Sequence, residues 1–231
     1  MTTLPTPTGS KRSIPMTRII MIRHGQSIAN EKHLFAGHSD FDLTDLGRKQ
    51  ASLAAEYLKK NEPSISAIYA SDLKRAFNTA LPIGEALGIT VIPDTQLREI
   101  FAGQWEALSF EYIAENYVEA FGVWKNDYSN ACPVDGESTA DVYRRIIPYV
   151  LSVAEKHPDS TVVLATHATV VRAVEAWAQG YSAEESGKVS FCQNAALNIY
   201  RIENGKAEVE RSCILDHLGD LVTVLPSIIN A

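Results

Sequence analysis

Four side chains have the types needed to act together on an anion: Arg23, His24, Arg75 and His167. A neutral imidazole nitrogen is a competent nucleophile when its second nitrogen is fixed by a backbone carbonyl. Guanidinium groups offer planar forks that match phosphate oxygens. Arg23-His24-Gly25 closes the apolar run from Thr17 to Ile22, and Thr166-His167 closes the run Thr161-Val162-Val163-Leu164-Ala165. Arg75 lies one turn past Ser71, where a third short run, Ile65 to Ala70, ends. Singly, each residue has an ordinary reading: a histidine after a strand is usually structural, and an arginine in a first helical turn is usually solvated. At equivalent strand ends they sit where sites form in open α/β sheets, beyond the carboxyl edge. Gly25 lets the backbone turn sharply or approach a ligand closely.

The remaining chain predicts the elements that would hold these ends together. A helix is expected over Gly47 to Lys60, capped by Thr44, with Leu46, Leu53, Ala54, Tyr57 and Leu58 on one side. Pro63 and Ser64 break it. Asp72 caps the next helix or lies in its first turn. Its stripe is Leu73, Ala76, Ala80, Ile83 and Leu87, with a kink or restart expected at Pro82. Gly88 closes it before a strand over Ile89 to Ile92. Residues 97–124 are rich in aromatics and predict a loop with one or two helices over a cleft. The simplest account of those aromatics is a secondary hydrophobic cluster. Ser138 caps a helix through His157, with Tyr143, Ile146, Ile147, Val150, Leu151 and Ala154 inward and a distortion at Pro148. A helix over Ala168 to Trp177 and a hairpin turned at Asn204-Gly205 complete the pattern. Alternating strands and helices predict an α/β three-layer sandwich. Its central sheet is mostly parallel, with helices on both faces and antiparallel additions late in the chain. Residues 1–15 are expected to be a flexible tail and 16–231 a single domain.

Composition narrows the partners. The 231 residues are 45% hydrophobic and carry a net charge of −7, which argues against a broad nucleic-acid or anionic-membrane surface. No apolar run approaches transmembrane length, and no secretory leader pattern is seen. Cys132, Cys192 and Cys213 are widely spaced, so a reducing, cytoplasmic setting without disulfides is expected. Homo-oligomerisation is left open. No metal-ligand cluster is evident; His33 and His38 read as loop histidines, His157 as a helix C-terminal residue, and His217 is unassigned.

Arg23-His24-Gly25-Gln26-Ser27, with Asn30 three residues on, resembles the signature of the histidine phosphatase superfamily, the phosphoglycerate mutase-like group. The resemblance continues through Asp40, Leu43-Thr44, Gly47 and Gln50-Ala51, then Ser71 to Ala76 with Thr79-Ala80. It returns at Leu97-Arg98-Glu99, Gly103, Trp105-Glu106, Gly136-Glu137-Ser138 and Thr166-His167. Arg-His-Gly alone is a weak signal; the ordered set is a strong one.

The resemblance implies a phosphoglycerate mutase-like fold and a phosphohistidine intermediate on His24. It implies that Arg23, Arg75 and His167 surround the phosphoryl group, that Asn30 adds a hydrogen bond, and that Glu99 protonates the leaving oxygen. It implies no metal or cofactor, because arginine and histidine supply the positive field. Ala168 and Thr169 follow the second histidine where glycine is frequent in the family. Ala168 would border the phosphate, and Thr169 would place a hydroxyl near phosphate or substrate. Gln26, Ser27 and Phe101 are further substrate-side candidates. Asp42 stands for a common Pro, His38 for a common aromatic, and Ala107 for a common Gly.

The expected activity is hydrolysis of a small phosphorylated metabolite. Phosphoglycerate mutase is the alternative, disfavoured because residues 107–135 are short and hold one basic residue, Lys125. A non-catalytic phosphate-binding protein is a second alternative. The substrate stays open between small sugar phosphate, phosphoglycerate or phosphoserine-like esters and bulkier nucleoside or aryl phosphates.

Overall fold

The computed structural model describes residues 15–62 and 64–224. The expected tail, apart from Pro15, and the expected break at Pro63 lie outside the described residues.

Among the described residues six strands form one sheet in the order β3-β2-β4-β1-β5-β6. They are β1 (Thr17–Arg23), β2 (Ile65–Ala70), β3 (Val91–Pro93), β4 (Thr161–Thr166), β5 (Leu197–Glu203) and β6 (Lys206–Ile214). The β1–β4, β2–β4 and β2–β3 pairs are parallel, and β5 and β6 add antiparallel strands at the β1 edge. β3 begins two residues later than expected. The β5–β6 turn is at Asn204-Gly205, both with positive φ.

Side chains that alternate along the strands serve two separate cores. Ile20, Ile22, Val163 and Ala165 pack on one face with α2 (Asp45–Asn61) and α3 (Lys74–Leu87). Ile19, Met21, Val162 and Leu164 pack on the other with α6 (Thr139–Lys156) and α7 (Ala168–Ala178). The sandwich is therefore three-layered, as expected. Both faces of β1 and β4 are covered, which is why their sequences are continuous apolar runs.

Several local expectations change. Between β1 and α2 the chain makes a single helical turn, α1 (Ile28–Glu31), closed by a capping box between Ser27 and Asn30. In α2 the buried stripe is Gly47, Gln50, Ala51, Ala54, Ala55 and Leu58, with Leu46, Leu53 and Tyr57 half-buried beside it. In α6, Val142 and Val153 are buried as well, while Tyr143 and Leu151 pack half-buried against the same core. Neither Pro82 nor Pro148 interrupts its helix. Each lies on a helix whose apolar stripe is packed, and that packing outweighs one missing backbone bond. Asp72 does not cap α3. It pairs with Arg98, and the carboxylate of Asp40 accepts from the Lys74 N–H instead, at 2.7 Å.

Gly25 serves a backbone contact rather than a ligand. A methyl group on it would lie 2.5 Å from the Gly47 carbonyl oxygen, so Gly25 and Gly47 let α2 rest directly on the chain leaving β1.

α4 (Phe110–Asn116) and α5 (Val118–Asn126) form the cover expected over the cleft. Most of its aromatics do make a hydrophobic cluster: Trp105 is fully buried and meets Phe121 and Trp124 edge-on. Ala107 sits at φ +60°, the left-handed conformation that explains the glycine common at this position.

Candidate phosphoryl-transfer site

The β1–β4 register pairs Arg23 with Thr166, so the next residues, His24 and His167, leave adjacent strands side by side. Their ring centroids are 5.2 Å apart at 62°. Both rings are buried. The His24 Nδ1–H donates to the Gly25 carbonyl at 2.7 Å, which leaves Nε2 as the unprotonated nitrogen. Burial, then the charges of Arg75 and Arg23, hold the His24 imidazole well below its usual range. Burial and Arg75 do the same to His167. Both rings are therefore neutral at pH 7.

Ser71, at the end of β2, orients His167. Its hydroxyl accepts from the Leu73 N–H at 3.3 Å and lies 2.8 Å from His167 Nε2. With the hydroxyl proton given to Nε2, His167 Nδ1 carries the ring hydrogen and is left as a buried donor with no acceptor among the described residues.

Among the described residues the two buried guanidiniums have no salt-bridge partner. Arg75 is fully enclosed; its Nη1 and Nη2 donate to the carbonyls of Ser39 (2.9 Å) and Gly37 (2.7 Å). Arg23 donates to the Cys192 carbonyl. The Nε atoms of both have no acceptor among the described residues. Burying one unpaired cation costs several kcal/mol, so two beside an unpaired His167 donor leave a site short of negative charge.

The carbonyls that receive Arg75 are themselves held by Glu106. Its carboxylate accepts from the backbone N–H groups of His38 and Ser39, both at 2.7 Å, and of Ala102 at 3.0 Å. The Trp105-Glu106 pair noticed in the sequence thus builds the loop around Arg75.

Glu99 reaches the site from the segment after β3, which Thr166 Oγ1 ties to the end of β4 by donating to the Leu97 carbonyl at 2.7 Å. Its carboxylate is buried; Oε1 accepts from the Ile100 N–H at 2.9 Å and Oε2 from the Thr169 N–H at 3.4 Å. Its backbone carbonyl is gripped by His38 Nε2 (2.9 Å) and Arg145 Nη2 (3.1 Å), with Arg145 paired to Glu137 at 2.6 Å. His38, Arg145 and Glu137 therefore fix where Glu99 points. Arg145 was not singled out from the sequence, and its only signal is its position on the polar side of α6.

A cavity of about 240 Å³ opens onto these groups. Of the candidates, Arg23, His24, Gln26, Asn30, Arg75, Glu99, Ala168 and Thr169 line it. His167 lies behind it against His24. Asn30 Oδ1 accepts from Ser27 and Asn194, leaving its amide hydrogens free to donate. Ser27 is fully buried as the cap of α1 and is not on the cavity wall. Phe101 is exposed, packs on His38, and faces a different surface groove. Gln26 is tied up in part, since its Oε1 accepts from Thr44 Oγ1 at 2.7 Å.

Asn194 was not anticipated. It bonds the His24 carbonyl and Asn30, and Thr223 bonds Asn194 in turn. Late residues thus reach the cleft, but His217 does not line it; its Nε2 meets the Ala195 carbonyl. Among the described residues no helix is long and apolar enough to cross a membrane.

This geometry has relatives. Phosphoserine phosphatase 1 of Hydrogenobacter thermophilus is 32% identical over 205 residues, covering 89% of this chain and 96% of that protein. Glucosyl-3-phosphoglycerate phosphatase of Mycobacterium tuberculosis is 38% identical over 167 residues, 69% of this chain and 74% of that one. Among solved structures, Bacillus stearothermophilus YhfR superposes with a TM-score of 0.82 at 26% identity, covering 87% of this chain and 99% of that one. A mycobacterial glucosyl-3-phosphoglycerate phosphatase complexed with VO3 gives 0.77 at 30% identity, covering 84% and 97%. The sequence profile of the histidine phosphatase superfamily (branch 1) matches residues 19–214, and the chain belongs to that family.

Proposed function

We propose that this chain hydrolyses phosphate monoesters of small metabolites through a phosphohistidine on His24. The observation that carries the reading is the pair of buried guanidiniums, Arg23 and Arg75, which have no salt-bridge partner among the described residues, beside two neutral imidazoles 5.2 Å apart. A dianionic phosphoryl group supplies the missing charge and accepts from the orphaned donors. The names of the relatives support the same reaction class.

The His24 Nε2 lone pair attacks phosphorus while the ester P–O bond breaks. Arg23, Arg75 and His167 stabilise the equatorial oxygens, joined by the Asn30 amide and the first-turn N–H of Ala168. Glu99 gives its proton to the departing alkoxide. Water then attacks phosphorus, Glu99 takes a proton from it, the P–N bond breaks, and phosphate leaves with His24 restored.

Hydrolysis is favoured over mutase chemistry by the cavity wall. Among the described residues its only arginines are Arg23 and Arg75, and it has no lysine, so a bisphosphorylated cofactor finds no second cationic cradle. We also infer a reducing, cytoplasmic setting and a small-molecule rather than nucleic-acid partner. Three free cysteines, one of them buried, and the net charge of −7 support that.

Acid-labile, alkali-stable phosphate on the protein during turnover is the expected intermediate, and His24→Ala should abolish both label and turnover. Unchanged activity in that variant would remove His24 as nucleophile, and binding of phosphate with no turnover of any ester would favour a non-catalytic binding protein.

A further inference from the structure

Beyond the phosphoryl end, the cavity wall includes Leu34, Phe35, Phe110, Trp124 and Phe191 beside neutral polar side chains such as Asn194 and Thr223. These side chains are held before any ligand arrives. Trp124 meets Phe35 edge-on at 5.0 Å, and Phe35 meets Phe110 at 5.6 Å. Phe191 is pinned from behind by the Arg172 guanidinium, 4.4 Å from its ring, and by the Tyr128 ring at 5.2 Å. Arg172 itself is spent on that stacking and on the Gly187 carbonyl, and it does not line the cavity.

The charges around this outer wall are equally specific. Arg23 and Arg75 stand at the phosphoryl end. The carboxylates on the wall are Glu99 and, at the rim, Glu31, with the exposed imidazole of His33 beside it. Among the described residues no lysine or further arginine faces the leaving group. A carboxylate on the leaving group would be desolvated against aromatic rings with no cation to pair with. An uncharged apolar group would exchange water for a preformed wall.

We infer that the leaving group is an uncharged, apolar or aromatic alcohol, rather than a carboxylate-bearing one such as serine or glycerate. The inference rests on the hydrolase reading above and narrows its substrate class. The phosphoserine and glucosyl-3-phosphoglycerate named for the relatives both carry a carboxylate, so this chain would differ from them at the wall and not at the phosphoryl end.

The test compares kcat/KM of the full chain on 2-phenylethyl phosphate, glycerol 1-phosphate, phosphoserine and 3-phosphoglycerate, with 4-nitrophenyl phosphate as a control for the chemistry. The expected order puts 2-phenylethyl phosphate at least tenfold above the other three alkyl esters, chiefly through a lower KM. Leu34→Arg, which adds a cation to the wall, should shrink the gap to phosphoserine by at least tenfold. Phosphoserine or 3-phosphoglycerate hydrolysed as well as or better than the phenylethyl ester would overturn the inference while leaving the hydrolase reading intact. Failure to hydrolyse even 4-nitrophenyl phosphate, with no labelling of His24, would overturn both.

Discussion

Arg75→Met separates what the guanidinium does for folding from what it does for the anion. Burial pulls the Arg75 guanidinium down to about 10, against the partial support of Glu99, Glu106 and Asp40. From an ordinary value of about 12.5, that drop amounts to about 3 kcal/mol against the charged form in the empty protein. Methionine removes the cost with similar length. It also strands the Ser39 and Gly37 carbonyls, at about 1–3 kcal/mol each where water does not reach them. The opposing contributions nearly cancel. The stability of the empty variant should stay within about 2 kcal/mol of wild type, a shift of roughly 8 °C or less. Phosphate tells the two proteins apart. At about a hundredfold excess over Kd, the wild type gains about 2.7 kcal/mol, and the variant should gain almost none. Turnover should fall about 100- to 1,000-fold, as for loss of one strong donor to developing charge. Thermal melts with and without phosphate, beside steady-state rates, measure all of this. A variant that keeps the full phosphate-induced shift and turns over within tenfold of wild type would refute the placement of Arg75 at the phosphoryl group.

Protonation gives a second prediction. His24 and His167 are held well below 6.5 in the folded protein, so below pH 6.5 the unfolded chain binds protons that the folded one does not. Stability should therefore be full above that pH and decline as pH falls. The loss should deepen steadily as pH falls below 6.5, with both histidines contributing in the same direction. Denaturant melts of wild type and the His24→Asn/His167→Asn variant should differ by that slope, and parallel pH profiles would count against it. Glu99→Gln should slow alkyl phosphates at least tenfold more than 4-nitrophenyl phosphate, whose leaving group needs little protonation; equal losses would exclude Glu99 as the acid. Gly25→Ala should cost about 1–3 kcal/mol, because its methyl would sit 2.5 Å from the Gly47 carbonyl; an unchanged midpoint in urea would show that α2 moves freely.

The sequence by itself determined the layer architecture. Strands buried on both faces must be continuous apolar runs, and β1 and β4 are. Stripes at helical spacing fixed α2, α3 and α6, and the side-chain caps Thr44 and Ser138 marked two of their starts. His24, Arg75 and His167 were legible because strand ends in such a sheet face one edge, and Glu99 because its neighbours resemble a family motif. What the sequence could not decide were contacts between distant segments. The Glu106 carboxylate orders the loop that receives Arg75, and Asp40 caps a helix from another loop. His38 and Arg145 hold the Glu99 carbonyl, and Asn194 closes the far side. Ser27 left the site to cap α1, and Phe101 faced elsewhere. Local periodicity reports which way a side chain faces relative to its own backbone. Only the folded chain brings together the acceptors and donors that decide which buried charge is satisfied and which is left for a ligand.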